Sequence, residues 1–319
     1  MPKPKLDDAT FIELFRKLGA AKLAQQIGIK ERRVYTRRSL LQQKYGIDLN
    51  PPTKNITDPV YKPEVRHERI KIAIRNGTVL VGSDAHYWPG QPPSTAHRAF
   101  VKFCRDMKPM AVVMNGDVMD FPSISRHPPL GWESQPTPAD EIEYAQDRLH
   151  EIAEACGKAR KIWPAGNHDA RFATRLASLA PEYAGVHGVH LKDHFPLWEP
   201  CWSVWFNEDV VVKHRFKGGL HASFNNAMWS GKNIVTGHLH KLQVSAFPDY
   251  NGTRWGIESG CMAEPYGSQF KDYTEDNPRL WQSGFVILTF VNGVLLQPEL
   301  VRVFDHDAVD FRGKIHRIK

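Results

Sequence analysis

The chain has 319 residues, 41% hydrophobic and 24% charged, which are ordinary values for a globular protein with one large domain and room for a small accessory one. No apolar run approaches the ~20 residues of a membrane-spanning helix. The basic start, Met1-Pro2-Lys3-Pro4-Lys5, leads into Leu6-Asp7-Asp8 without an apolar stretch, so neither a membrane segment nor a secretory signal is expected.

The net charge of +7 is unevenly spread: residues 1–75 hold 17 of the 42 Lys/Arg but 8 of the 35 Asp/Glu. The excess positive charge therefore sits in the first quarter, as in a segment that meets a polyanion. Cys104, Cys156, Cys201 and Cys261 are scattered with no Cys-x-x-Cys spacing, the pattern of reduced thiols in a cytoplasmic protein.

Residues 1–48 read as a basic helical module. Asp7, Asp8 or Thr10 can cap a first helix with Phe11, Leu14, Phe15 and Leu18 on one face, ended by Gly19. A second, Ala20 to Ile27, stops at Gly28. A third begins near Lys30 and carries Arg32, Arg33, Arg37 and Arg38. Two short helices joined by a glycine turn resemble a helix-turn-helix, with Ala24 as the small packing residue and Val34 on the inner face of the recognition helix. Arg37 departs from that motif, where an apolar residue is usual. Lys30, Arg32, Arg33, Arg37 and Arg38 are the candidate DNA contacts; a basic helical hairpin packing on another surface is the alternative. Pro51, Pro52, Pro59 and Pro63 mark residues 49–68 as a linker.

Residues 69–319 read as an α/β domain. Arg69–Ile74 alternates, Asn76-Gly77 offers a type I′ turn, and Thr78–Gly82 reads as the return strand of a hairpin. It ends in Ser83-Asp84-Ala85-His86. A helix over 95–108 leads to the apolar strand Met110–Met114, which ends in Asn115-Gly116-Asp117-Val118-Met119-Asp120. A helix over 139–159 leads to Lys161–Ala165, ending in Gly166-Asn167-His168-Asp169. Strand-helix-strand alternation implies a parallel core with polar groups at the strand ends. The second half is richer in strands: Trp202–Phe206, Val210–Lys213 before His214, Ile234–Thr236 before Gly237-His238-Leu239-His240, and hairpins around Asn251-Gly252 and Asn292-Gly293. The whole reads as a two-sheet β-sandwich flanked by helices.

Taken in order, Asp84-x-His86, Gly116-Asp117-x-x-Asp120, Gly166-Asn167-His168-Asp169, a strand-end His214 and Gly237-His238-x-His240 resemble the motif series of calcineurin-like metallophosphoesterases, over residues 79–265 or so. The resemblance implies two divalent metal ions, Mn2+ first, with iron or zinc as alternatives. It implies that one ion takes Asp84, His86, Asp117 and His240. The other takes Asp117, Asn167, His214 and His238. Phosphate-ester cleavage then proceeds by attack of a hydroxide held between the ions. Mixed nitrogen and oxygen donors suit those metals.

The same resemblance makes His168 a general acid or phosphate stabiliser, positioned by Asp169, and leaves Asp120 to hold another group rather than a metal. His221 rivals His214 as the fourth-motif histidine, because the glycine often found after that histidine is Arg215 here. His187, His190 and His194 read as loop histidines. Arg126, His127 and Trp132, in the Pro-rich stretch 121–138 after Asp117, are candidates for a substrate rim, with a plain surface excursion as the alternative. Arg171 either meets a phosphate or is a surface arginine. The expected function is a metal-dependent phosphodiesterase acting on DNA; a phosphomonoesterase and a DNA-binding regulator that keeps the fold are the other readings. A DNA-reading module joined to a compact nuclease suggests a phage or mobile-element protein.

Overall fold

The computed structural model describes residues 6–51, 69–127, 134–270, 274 and 279–318, so most of the expected linker over 49–68 lies outside the described residues. The chain divides into two compact units, Met1–Arg66 and His67–Lys319. No helix among the described residues is long and apolar enough to cross a membrane.

The first unit has two helices, α1 (Asp8–Ile27) and α2 (Glu31–Tyr45). Asp7 caps α1 by accepting from the Thr10 backbone N–H at 2.9 Å. Gly19 (φ 74°, ψ 176°) breaks α1 into the two expected helical pieces, and Gly28 in the left-handed region ends it. Phe11, Phe15, Leu23, Ala24, Val34, Leu41 and Leu49 form its core. Two of the candidate DNA contacts are bonded within the helical unit. Arg37 donates to Asp8 Oδ1 at 2.9 Å and lies 4.7 Å from the Phe11 ring centroid. Arg38 donates to the Leu49 carbonyl at 2.6 Å and lies over Phe15. Arg37 occupies its usually apolar position because its guanidinium lies over the Phe11 ring while the Asp8 carboxylate neutralises it. Lys30, Arg32 and Arg33 are exposed.

The second unit is a mixed α/β sandwich. Its strands are β1 (Arg69–Ile72), β2 (Gly77–Gly82), β3 (Ala111–Met114), β4 (Arg160–Pro164), β5 (Glu199–Cys201), β6 (Ser203–Phe206), β7 (Val210–Val212), β8 (Asn233–Thr236), β9 (Leu242–Asp249), β10 (Gly252–Ser259), β11 (Gly284–Val291), β12 (Val294–Leu295), β13 (Glu299–Asp305), β14 (Ala308–Phe311) and β15 (Lys314–Arg317). Its helices are α3 (Thr95–Met107), α4 (Pro138–Cys156), α5 (Asp169–Leu179) and α6 (Ala222–Ser230). One sheet runs β1-β6-β7-β8-β10-β9; the other runs β15-β14-β13-β11-β2-β3-β4-β5, with β12 beside β11.

Alternation builds both layers. Val79 and Val81 of β2, Val113 of β3 and Val286 and Leu288 of β11 meet Val204, Val212, Val235 and Ile257 of the facing sheet. Leu80, Val112, Met114, Phe285 and Ile287, one residue out of step, meet Phe100, Phe103, Leu149 and Ile152 of α3 and α4. Strands buried on both faces read as unbroken apolar runs for this reason. Helix α6 covers the other sheet over β8, β9 and β10.

The expected hairpin of Arg69–Ile74 with Thr78–Gly82 does not form. β1 pairs in parallel with β6, whereas β2 sits between β3 and β11 in the other sheet. β2 is apolar on both faces and needs a central position; half-exposed β1 takes a sheet edge, and the Asn76-Gly77 turn links the two layers. The hairpins around Asn251-Gly252 and Asn292-Gly293 do form.

At the start of α4, Glu141 is fully buried, and its Oε1 accepts the backbone N–H groups of Asp120 (3.0 Å) and Phe121 (2.8 Å). Burial raises its carboxyl to about 8 from 4.5. A raised folded-state value means that folding favours the protonated form, so this group's contribution is complete below about 4.5 and is lost as the pH rises toward 8. Glu141→Gln keeps an acceptor and carries no charge. With EDTA present, the variant is expected to lose less stability than the wild type between about pH 5 and pH 8, by up to roughly a few kcal/mol. Urea melts at the two pH values measure this, and parallel pH slopes for the two proteins would refute it.

Candidate metal centre

The strand ends that the sequence marks lie along one edge of the sandwich. Asp84 and His86 follow β2, Asp117 follows β3, Asn167 and His168 follow β4, His214 follows β7, and His238 and His240 follow β8. The loops are tied together by the backbone: Asp84 N–H donates to Gly116 O (3.0 Å) and His86 N–H to Asp117 O (3.0 Å). Two glycines allow the close approach. A Cβ on Gly166 would collide with Asp117, and one on Gly237 with Ser83 Oγ and Asp84 Oδ2. Asp84, His86, Asp117, His238 and His240 all have positive φ, between 40° and 71°. Such strain in five side-chain-bearing residues at one edge marks a site whose geometry the surrounding fold enforces.

Three donor clusters lie here, each with its ligand atoms within 4.8 Å of one another: Asp84, His86 and His240; Asp117, His214 and His238; and His86, Asp120 and His168, in which Asp120 joins the two histidines. Asp84, His86, Asp117, His214 and His240 are buried; His238 is exposed at the rim. His214 Nε2 lies 3.0 Å from Asp117 Oδ2, and His240 Nε2 lies 3.2 Å from Asp84 Oδ1. His221 stands exposed at the start of α6, outside all three clusters.

The chemistry of these donors fits a pair of divalent cations. His86 Nε2 and Asn167 Oδ1 are buried without a hydrogen-bond partner, and His214 Nε2 faces Asp117 without hydrogen-bond geometry. Orphaned acceptors such as His86 Nε2 and Asn167 Oδ1 cost about 1–3 kcal/mol each unless something binds them. The far nitrogens are already engaged: His86 Nδ1 with Asp120 Oδ1 at 3.1 Å, and His214 Nδ1 with the Asn115 carbonyl at 2.7 Å. Those contacts turn the Nε2 atoms toward the centre. Burial lowers the His214 imidazole, but the Asp117 and Asp84 carboxylates outweigh it and raise it to about 9. Burial likewise disfavours the Asp117 carboxylate, yet His214 and His168 hold it well below the usual range. Two buried carboxylates thus draw positive charge into the site.

Asp169 is not placed as expected. It does not position His168; it is buried and accepts the backbone N–H groups of Asp117 (3.0 Å), Val118 (3.0 Å) and Gly166 (2.8 Å) and the indole N–H of Trp163 (3.0 Å). As the first residue of α5, its carboxylate ties together the loops after β3 and β4. Asp120 faces His168 instead, with Oδ1 at 2.7 Å and its carbonyl at 2.9 Å from Nδ1. Burial lowers the His168 imidazole, and Asp120 and Asp117 more than restore it.

Arg171 donates to the Asp120 carbonyl at 2.7 Å and approaches His168 Nε2 at 3.5 Å, so it borders the centre. Arg126 and His127 are exposed beyond the 3-10 turn Pro122–Ile124, and Trp132 lies outside the described residues. His190 and His194 bond to backbone carbonyls of their own loop.

Sequence reasoning missed three contributors. Ser83 donates to Asp84 and to the Asn115 carbonyl. Phe270 packs edge-on against His86 at 5.1 Å, and Trp281 lies 4.3 Å from the His240 ring. The last two come from chain far beyond the motif series, where no spacing pattern marks them.

No family model matches the chain. It is 27% identical over 242 residues to the Gene 54 protein of Mycobacterium phage L5, covering 65% of this chain and 86% of that protein. It is 28% identical over 243 residues to the Gene 54 protein of Mycobacterium phage D29, with the same shares. Among solved structures, a single mutant of Vps29 from Entamoeba histolytica superposes with a TM-score of 0.35 at 13% identity, covering 75% of this chain and 96% of that one. The nuclease MPE of Pseudomonas putida gives 0.29 at 13% identity, covering 68% and 85%. Likenesses of that size carry no weight for function, and the architecture stands on its own strand order and register: a two-sheet α/β sandwich with its polar strand ends gathered at one edge.

Proposed function

We propose that the centre is a dinuclear metal-dependent phosphodiesterase acting on DNA, of the calcineurin-like kind that the motif series resembles. The observation that carries this reading is the pairing of two donor clusters, Asp84/His86/His240 and Asp117/His214/His238, along one edge of the sandwich, each drawing on both sheets. Asp117 would serve both ions, and Asn167, with its buried unpartnered Oδ1, would complete the second set. Bound divalent ions supply a nucleophile at neutral pH and neutralise the phosphoryl oxygens.

The protein's own groups do the rest. Asp84 and Asp117 hold the negative charge that fixes the ions. Asp120 bonds to Nδ1 of both His86 and His168, which sets the orientation of the two rings. His168, with Nδ1 held, would carry a proton at Nε2 toward the leaving oxygen. The exposed Lys30, Arg32 and Arg33 of the helical unit would meet the DNA backbone. The relatives in two mycobacteriophages are consistent with a phage-encoded protein.

The test is metal loading followed by a substrate screen. Loading with Mn2+, Fe2+ or Zn2+ is expected to give about two ions per chain. The loaded protein is expected to cleave single-stranded or plasmid DNA and a small diester with kcat/KM at least about ten-fold above that for phosphomonoesters. Hydrolysis of monoesters without diester cleavage would replace this reading with a phosphomonoesterase. Deleting residues 1–50 is expected to weaken DNA binding and flatten its salt dependence; unaltered binding would remove the helical unit from substrate recognition.

A further inference from the structure

The fourth-motif histidine is followed by Arg215 rather than the usual glycine, and the loop it opens has a form of its own. A cavity of about 430 Å³ lies beside His238, lined by Arg215, Phe216, Lys217 and Gly218 on one side and Thr236 to Leu239 on the other. Lys217 N–H donates to Asn226 Oδ1 (3.0 Å), and the buried Asn226 also donates to Thr236 Oγ1 (3.2 Å). The loop is thereby pinned to α6 and β8.

Its side chains face outward. Phe216 is 42% exposed and Trp229, on α6, is 65% exposed. Cations interleave the rings: Lys213 Nζ lies 5.5 Å from the Phe216 centroid, and Lys217 Nζ lies 5.9 Å from Phe216 and 5.2 Å from Trp229. Among the described residues neither Arg215 nor Lys217 forms an ion pair with a carboxylate. Exposed rings interleaved with cations that no carboxylate neutralises, beside a candidate metal centre, are the surface chemistry that binds single-stranded nucleic acid.

We propose that this cavity is the subsite for a nucleotide flanking the scissile phosphate of a single-stranded nucleic acid. Phe216 stacks its base, Trp229, outside the cavity across Lys217, stacks a neighbouring base, and Arg215 and Lys217 hold the adjoining phosphates. The proposal rests on the phosphodiesterase reading of the centre that His238 borders. Stacking needs bases free of their own pairing, so a single strand fits this surface and an intact duplex does not.

The test uses the full chain. Affinity for a hexanucleotide is measured in EDTA, and kcat/KM in Mn2+ is measured for the same oligonucleotide and for bis(p-nitrophenyl) phosphate. Phe216→Ala and Trp229→Ala are each expected to raise the Kd about ten-fold. They are also expected to lower the oligonucleotide-to-small-diester ratio of kcat/KM by a similar factor. Phe216→Tyr and Trp229→Phe, which keep a ring, are expected to restore both. Arg215→Ala is expected to reduce the slope of log Kd against log salt by about 0.7, the loss of one phosphate contact on a single strand.

Deoxyribose and ribose hexamers separate DNA from RNA as the source of the strand. Binding of a blunt duplex should be insensitive to Phe216→Ala and Trp229→Ala; a duplex Kd that rises as far as the single strand's would overturn the stacking role. If the small diester is cleaved but the variants leave Kd and the ratio unchanged, the subsite is wrong and the phosphodiesterase reading stands. If no diester is cleaved but the ring variants still weaken single-strand binding, the reading of the centre fails and the subsite stands.

Discussion

Asp117→Asn is expected to lower kcat/KM for a phosphodiester by about 10³-fold and to reduce bound metal from about two ions per chain to one or fewer. In the proposed centre Asp117 is the carboxylate shared by the two ions: its Oδ1 accepts from the His168 backbone N–H at 2.9 Å, and its Oδ2 faces His214 Nε2 at 3.0 Å. An asparagine fits the same space but removes the negative charge and one of the two acceptor oxygens. On the proposed reading both losses fall on the group that serves both cation sites. The fold should survive, because the Asp117 N–H and C=O, bonded to Asp169 and His86, are unchanged. Metal analysis by mass spectrometry and steady-state kinetics check this together. A variant that binds two ions and keeps activity within about ten-fold would show that Asp117 is not the shared ligand.

Asp169→Asn is expected to act chiefly on stability, lowering it by about 2–4 kcal/mol. Its Oδ2 accepts three N–H groups, from Asp117, Gly166 and Trp163, and its Oδ1 accepts one, from Val118. An amide has a single acceptor atom, so its –NH2 must face at least one buried donor, leaving that donor unpaired. For a unit of this size the midpoint of thermal unfolding should fall by roughly 5–15 °C. The sequence reading, by contrast, makes Asp169 the residue that positions His168, and so predicts lost activity in a normally stable protein. Calorimetry of the metal-free variant separates the two: an unchanged melting point with a large loss of kcat would restore the sequence reading.

Asp169 also shows where reading from sequence stops. The run Gly166-Asn167-His168-Asp169 puts an acid next to an imidazole in the chain, and adjacency invites a pairing. In the folded chain the next residue begins α5, and its side chain turns away from His168 into the joint between two loops. The carboxylate that does face His168 is Asp120, 48 residues earlier, on the strand-end loop after β3. Arg37 and Arg38 make the same point: as residues of a basic helix they read as phosphate contacts, yet both are bound within the helical unit, to Asp8 and to the Leu49 carbonyl.

The strands β1 to β4 and β6 to β12, the helices α1 to α4 and the strand-end positions of the seven candidate ligands were legible in the residues alone, whereas β5, β13 to β15, α5 and α6 were not. The reason is local: a buried strand is an unbroken apolar run, and a polar residue just past its end must lie at the sheet edge. The hairpins around Asn251-Gly252 and Asn292-Gly293 were legible for a similar reason, since turn chemistry dictates the pairing of neighbours. Long-range packing, by contrast, settled which sheet each strand joins, and so that β1 and β2 part into separate layers. It also settled which donors converge, which carboxylate holds His168, and that Phe270 and Trp281 wall the centre. Those outcomes depend on contacts between residues far apart in the chain, where space, charge and unsatisfied donors select the partner and sequence spacing carries no signal.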